Sequence, residues 1–256
     1  MVKSFRIKKI VIGEGIPKIC VPIVGTDEEQ INSEISILKA SNFDIVEWRA
    51  DYFESVTNLD KVQQTLNTLR ASLPDVPLLF TFRTKEEGGV REFDIQSYIT
   101  LNEAVIRSGL VDIVDIELFT GDQYVKTLIE QAHKNNVLVV LSNHDFNSTP
   151  PKDEIILRLR KAQRLDGDIP KIAVMPRNTK DVITLLDATR EMKEQYADRP
   201  FITMSMEGIG LISRLAGEIF GSAITFGTVT KASAPGQIPA NELKNILNVI
   251  HKNISK

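Results

Sequence analysis

Eight short apolar, β-branched runs recur along this chain with amphipathic stretches between them, and that alternation restricts the possible folds more than any other feature. The runs cover residues 19–25, 43–51, 77–84, 111–119, 137–144, 169–176, 201–206 and 222–228. Their starts fall roughly thirty residues apart, the length of one strand–helix–strand unit. The stretches between them, 27–40, 59–73, 95–108, 123–135, 152–165, 179–196 and 211–220, carry helical periodicity, and a last one spans 241–251 after Pro239. Consecutive parallel strands cannot be joined by a tight hairpin, so strict alternation predicts parallel strands with crossover helices. Eight repeats in 256 residues match a (β/α)8 TIM barrel. A doubly wound sheet is the competitor, but it would put a glycine-rich phosphate loop after its first strand. Here Gly25-Thr26-Asp27-Glu28-Glu29 reads as a helix N-cap followed by acids. Residues 4–11 alternate like a strand ahead of the first repeat and predict a short N-terminal hairpin arm. No linker or charge block separates the repeats, so a single domain over 1–256 is expected.

Composition narrows the function. With 31 Lys+Arg against 34 Asp+Glu the net charge is −3, without the basic excess that nucleic-acid binding normally needs. The lone Cys20 excludes an internal disulfide framework and a multi-cysteine zinc site, and suits a reducing cytoplasm. Residues 1–10 alternate basic and apolar side chains, unlike a signal peptide, and no run approaches a membrane span. A cytoplasmic protein without membrane or nucleic-acid partners is expected.

Strand residues two apart share a face, and outward faces of a barrel lie under apolar helices. Glu47, Arg49 and Asp51 must therefore point inward, opposite Val46, Trp48 and Ala50. Arg83 ends the third run, Asp115 and Glu117 lie on the fourth, Ser142 and His144 close the fifth, and Lys171 opens the sixth. Isolated ions are costly in such an interior, so these groups need partners; a register-fixing ion-pair network, for instance Glu47 with Arg49, would be the plainest use. Lys171, between Pro170 and Ile172, is expected among apolar atoms and other cations, an environment that yields the neutral amine a ketone requires for a Schiff base. The alternative is a lysine extended to the barrel rim. His144 is the one histidine at a strand end, where acid/base groups of barrels reside, although it could simply cap the strand through Asp145. His133 and His251 fall on helical stretches.

Two loops face the same end. Glu87 precedes Gly88-Gly89, which would let its carboxylate approach the cavity closely. Residues 230–237, rich in small side chains, can form a closing loop with Ser233 and Gln237 at its tip. Arg214, one turn into the helix after the seventh run, can reach a carboxylate.

The motifs Glu47-Trp48-Arg49-Ala50-Asp51, Phe80-Thr81-Phe82-Arg83 with Glu87-Gly88-Gly89, Ser142-Asn143-His144-Asp145-Phe146, Pro170-Lys171-Ile172-Ala173, Met204-Ser205-Met206 and Ser233-Ala234-Pro235-Gly236-Gln237 together resemble type I 3-dehydroquinate dehydratases. The resemblance runs in order through essentially all eight repeats. It implies a cofactor-independent lyase of the shikimate pathway that dehydrates 3-dehydroquinate on a (β/α)8 barrel, commonly as a homodimer. It places the Schiff-base lysine at Lys171, the proton-shuttling histidine at His144 and its acidic partner at Glu87. Glu47, Arg49 and Arg83 match the substrate-hydroxyl and charge network, Arg214 the cation for the substrate carboxylate, and Ser233 and Gln237 the closing loop. One departure is Pro22, where several members carry serine. Two other readings are open from the residues alone. One is an aldolase-like imine-forming barrel, which would favour glycine-rich phosphate turns after strands seven and eight; the other is a small-carboxylate binding protein, which would need no neutral lysine.

Overall fold

A computed structural model describes residues 3–254; positions 1, 2, 255 and 256 of the expected 1–256 domain lie outside it. Strands β1 (Phe5–Ile7) and β2 (Ile10–Ile12) form an antiparallel hairpin. Eight parallel strands follow: β3 (Lys18–Ile23), β4 (Ile45–Arg49), β5 (Leu78–Thr81), β6 (Ile113–Glu117), β7 (Leu138–Asp145), β8 (Ile169–Val174), β9 (Ile202–Ser205) and β10 (Ile224–Phe226). They pair in the order β10-β3-β4-β5-β6-β7-β8-β9. The last seam, between β9 and β10, is closed by a single bridge, Phe201 to Ser222, and by the Ser222 hydroxyl accepting from the backbone N–H of Thr203 at 3.0 Å. The result is the expected TIM barrel.

Helices α1 (Glu28–Leu38), α2 (Leu59–Ser72), α3 (Ile95–Arg107), α4 (Asp122–Lys134), α5 (Lys152–Arg164) and α6 (Thr179–Glu191) cross between the strands, and α9 (Ala240–Ile254) ends the chain. Their starts are set locally. The side chains of Asp27, Asn58, Asp94 and Asn178 each accept from a first-turn backbone N–H, satisfying donors that a helix leaves open. The seventh crossover departs from expectation. In place of one helix over 211–220 there are two short ones, α7 (Leu211–Leu215) and α8 (Gly217–Phe220), interrupted at Ala216. At Gly217 a Cβ would sit 2.7 Å from the carbonyl of Ser222, so the chain must fold tightly against the closing seam there.

The interior is layered along the period-two register. Cys20, Ile45, Leu79, Ile113, Val140, Ile169, Ile202 and Ile224 form an apolar floor, plugged from below by Phe5, Ile7 and Ile12 of the hairpin. Two residues further along the same strands the side chains become Glu47, Thr81, Asp115, Ser142 and Lys171. The outward faces carry Val46, Trp48, Phe80, Val114, Ile116 and Leu141 into the helical layer, where burial of each large side chain is worth about 1.5–3 kcal/mol. The inward face of these five strands therefore delivers its polar groups toward its C-terminal end. Among the described residues no helix is long and apolar enough to cross a membrane.

Candidate active site

The nine site residues that the resemblance implies, Glu47, Arg49, Arg83, Glu87, His144, Lys171, Arg214, Ser233 and Gln237, line one cavity at the C-terminal mouth of the barrel. The hydrogen-bond register sets Ser142 of β7 beside Lys171 of β8 and His144 beside Ala173, so the lysine and the histidine stand one layer apart on adjoining strands.

Lys171 is 5% exposed. Its Nζ donates to Asp115 at 3.2 Å and sits 4.7 Å from the centre of the Phe226 ring. The expected apolar and cationic surroundings thus include a carboxylate, because β6 presents Asp115 at the same level. Asp115 also accepts from Arg83 at 2.8 Å and from the Ser142 hydroxyl at 2.6 Å. Burial alone would raise its carboxyl, but Arg83 and Lys171 prevail and hold it below the usual carboxylate range. The sequence reading placed Asp115 inward without assigning it to the site; the Asp115-x-Glu117 alternation on a barrel strand was the available signal.

Arg83 is the hub. Besides Asp115 it reaches Glu117 at 2.9 Å and Glu87 at 3.6 Å. Removing one member of such a buried network typically costs about 3–5 kcal/mol, because its partners are left charged and unpaired. The simple Glu47–Arg49 pair does not form. Arg49 turns to Asp51, a buried residue in the single 3₁₀ turn after β4 (Ala50–Tyr52), and binds it through two bonds of 2.8 Å. Glu47 instead accepts from the Thr81 hydroxyl at 2.8 Å.

His144 does not cap its strand through Asp145. Its Nδ1 lies 2.9 Å from Oε2 of Glu87, and its backbone N–H donates to the same oxygen at 3.0 Å. Glu87 ends the 3₁₀ turn Lys85–Glu87, and the following glycines make the approach possible. Gly88 has φ +86, and a Cβ there would lie 2.1 Å from the Phe146 ring; at Gly89 it would lie 1.9 Å from the Arg83 carbonyl oxygen. Burial, with Glu117 nearby, pushes the Glu87 carboxyl up to about 8. Burial together with Arg83, Lys171 and Arg49 keeps the His144 imidazole well below its ordinary range. A neutral imidazole can therefore present a free Nε2 to the cavity once the pair has lost its extra proton.

Arg214 is 1% exposed and, among the described residues, forms no ion pair. It donates to the Pro235 carbonyl at 2.9 Å, with weaker contacts to Met204 and Phe226, while its Nε has no partner. Burial lowers its guanidinium to about 10. A buried cation without a counter-ion, at the wall of a cavity, is suited to an anionic ligand.

The loop after β10 lies across the opening. Arg49 donates to the Ser233 carbonyl at 3.2 Å. Ser233 and Gln237 bond to each other, backbone N–H to amide oxygen at 3.0 Å and amide nitrogen to hydroxyl at 3.2 Å. Gly236, at φ +77, fits where a Cβ would be 2.4 Å from the Glu207 carbonyl oxygen. Pro22 pairs with Glu47 in the register and offers the cavity neither a hydroxyl nor a backbone N–H. Among the described residues no group of three or more His, Cys, Asp or Glu is placed to hold a metal ion.

The chain is similar to known proteins over nearly its whole length. The family model for type I 3-dehydroquinase matches residues 19–254. A 3-dehydroquinate dehydratase of Bacillus licheniformis is 54% identical over 254 residues, covering 99% of this chain and 100% of that one. One from Escherichia coli strain SE11 is 54% identical over 250 residues, covering 98% and 99%. The crystal structure of the type I enzyme of Clostridium difficile with covalently modified comenic acid superposes with a TM-score of 0.96 at 53% identity, covering 99% and 100%. The chain belongs to the type I 3-dehydroquinase family.

Proposed function

We propose that this single-domain enzyme dehydrates 3-dehydroquinate to 3-dehydroshikimate within the shikimate pathway of aromatic amino acid biosynthesis, through an imine at Lys171. The observation that carries the reading is the buried Lys171 amine sharing a cavity with the Glu87–His144 pair and with a cation, Arg214, that lacks a counter-ion. Lys171 attacks the ring ketone; the carbinolamine loses the ketone oxygen as water and leaves a protonated iminium. Asp115, fixed by Arg83 and Ser142, stands beside that positive nitrogen as its counter-charge. The iminium withdraws electrons from the neighbouring CH2, and Nε2 of His144 takes a proton from it. The enamine then expels the β-hydroxyl from the same face, protonated by the imidazolium, and water returns to hydrolyse the imine. One water is lost overall.

The test is borohydride reduction in the presence of 3-dehydroquinate followed by intact-mass measurement. A single stable adduct on Lys171 is expected. An unmodified chain under turnover conditions would refute the imine.

Arg214, with its unpartnered Nε, binds the substrate carboxylate in this reading, and Glu47, Arg49, Ser233 and Gln237 bind the hydroxyl side and close over it. A hydrogen bond to a charged group is worth about 1.5–3 kcal/mol, so Arg214→Ala should raise KM roughly ten- to hundredfold. An unchanged KM in steady-state kinetics would remove Arg214 from the carboxylate site.

The assembly we propose is a homodimer in the cytoplasm, where Cys20, free and buried, stays reduced. Leu157 of α5, Ile183 of α6, Ile209 of the 3₁₀ turn Gly208–Gly210 and Ile212 of α7 are about half exposed on neighbouring outer elements, and a two-fold contact would cover them. Sedimentation equilibrium should give twice the 28.7 kDa chain mass, and Ile183→Asp should shift it toward one.

A further inference from the structure

Behind the catalytic pair lies a polar chain that the reaction as derived does not use. Asn143 sits on β7 between Ser142 and His144, 4% exposed, and does not line the cavity. Its Nδ2 donates to Oε1 of Glu87 at 3.3 Å. Its Oδ1 accepts from NH1 of Arg158, on α5, at 2.9 Å. A guanidinium can only donate, so Oδ1 must face Arg158, and the amide nitrogen is thereby aimed at the carboxylate. Arg158 is itself braced by Glu154 at 2.7 Å and lies 3.6 Å from Asp145.

We propose that Asn143, oriented by Arg158, is a positioning residue that holds Glu87 as a carboxylate toward Nδ1 of His144, so that Nε2 stays free to take the substrate proton. The inference rests on the Glu87–His144 pair acting as the acid/base group.

The electrostatics around the pair make this donor consequential. From β4 comes Arg49, from the segment just after β5 Arg83, from β6 Asp115 and Glu117, from β8 Lys171, and from α5 Arg158 through Asn143. Burial and the charges of Arg83, Lys171 and Arg49 disfavour imidazolium, so the second proton of the pair goes to Glu87, which burial and Glu117 already favour in its neutral form. A carboxylic acid at Glu87 donates to Nδ1 and forces the remaining ring proton onto Nε2, which can then no longer act as a base. An N–H donor aimed at Oε1 stabilises the ionised carboxyl more than the neutral acid, and so opposes that state. Loss of the donor should raise the pH at which the pair sheds its extra proton.

The test is the pH profile of kcat. In the wild-type enzyme the acidic limb should rise through the ionisation of the pair, near the value of about 8 that burial imposes on Glu87. Asn143→Leu should move that limb up by about one unit, costing about tenfold in kcat at neutral pH with a loss that shrinks as pH rises, and with KM little changed. Arg158→Met, on a partly exposed position that should fold normally, frees the amide to rotate and should move the limb the same way by less. A rate lowered equally at every pH, or an unmoved limb in both variants, overturns the proposal. Glu87→Gln separates the two levels: if it collapses the rate while Asn143→Leu leaves the limb in place, only this inference falls; if it keeps the wild-type profile, the acid/base reading falls with it.

Discussion

Lys171→Ala abolishes adduct trapping and turnover together. The amine has no stand-in: it is the group that carries the electron sink, and the other cations of the cavity, Arg49, Arg83 and Arg214, are guanidiniums that stay protonated and do not attack ketones. The variant should nonetheless fold, since the alanine leaves Asp115 with Arg83 and Ser142 as partners. Intact mass after borohydride treatment and an assay of water elimination are the measurements. Turnover in the variant at even a hundredth of the wild-type rate would require a route without the imine.

His144→Ala separates the two halves of the reaction. Imine formation depends on Lys171, so a reducible adduct should still accumulate, while proton removal loses its base and the elimination slows by about 10²–10⁴-fold. Single-turnover experiments check this, with adduct formation followed by mass and product release by absorbance. The sinking result would be a wild-type elimination rate. Failure to form adduct would mean that His144 also serves the carbinolamine step.

The barrel was legible because its signal is repetitive: eight runs of similar length, five of them with a polar residue two positions beyond an inward apolar one. Lys171, Arg83 and His144 could be aimed into the interior by that register alone, and Glu87 could be brought to it by the glycines that follow. What escaped was anything set by reach rather than by register. Arg49 shares a strand face with Glu47, yet its long side chain turns up to Asp51 in the next turn. Asp115 was visible as an inward acid, but its place between Lys171 and Arg83 depends on which strands adjoin, and hence on closure of the sheet. The break at Ala216 likewise reflects crowding at the β9–β10 seam, a contact between segments that local periodicity does not contain. Asn143 stands in the sequence only as part of the Ser142–Phe146 motif, and nothing local tells that its amide meets a carboxylate arriving from another loop.

The closing loop is tied down by the guanidinium groups of Arg49 and Arg214, which grip the carbonyl oxygens of Ser233 and Pro235. On the proposed function, release of the grip at Arg214 is an exchange: an anion arriving at its unpartnered Nε must offer the guanidinium more than a neutral amide oxygen does. A carboxylate meets that condition, whereas an uncharged ketone of the same outline has nothing to trade and leaves the latch shut. With Arg214 taking the carboxylate as proposed, admission to the lysine is decided at the doorway by charge, before the ketone is ever tested for reactivity.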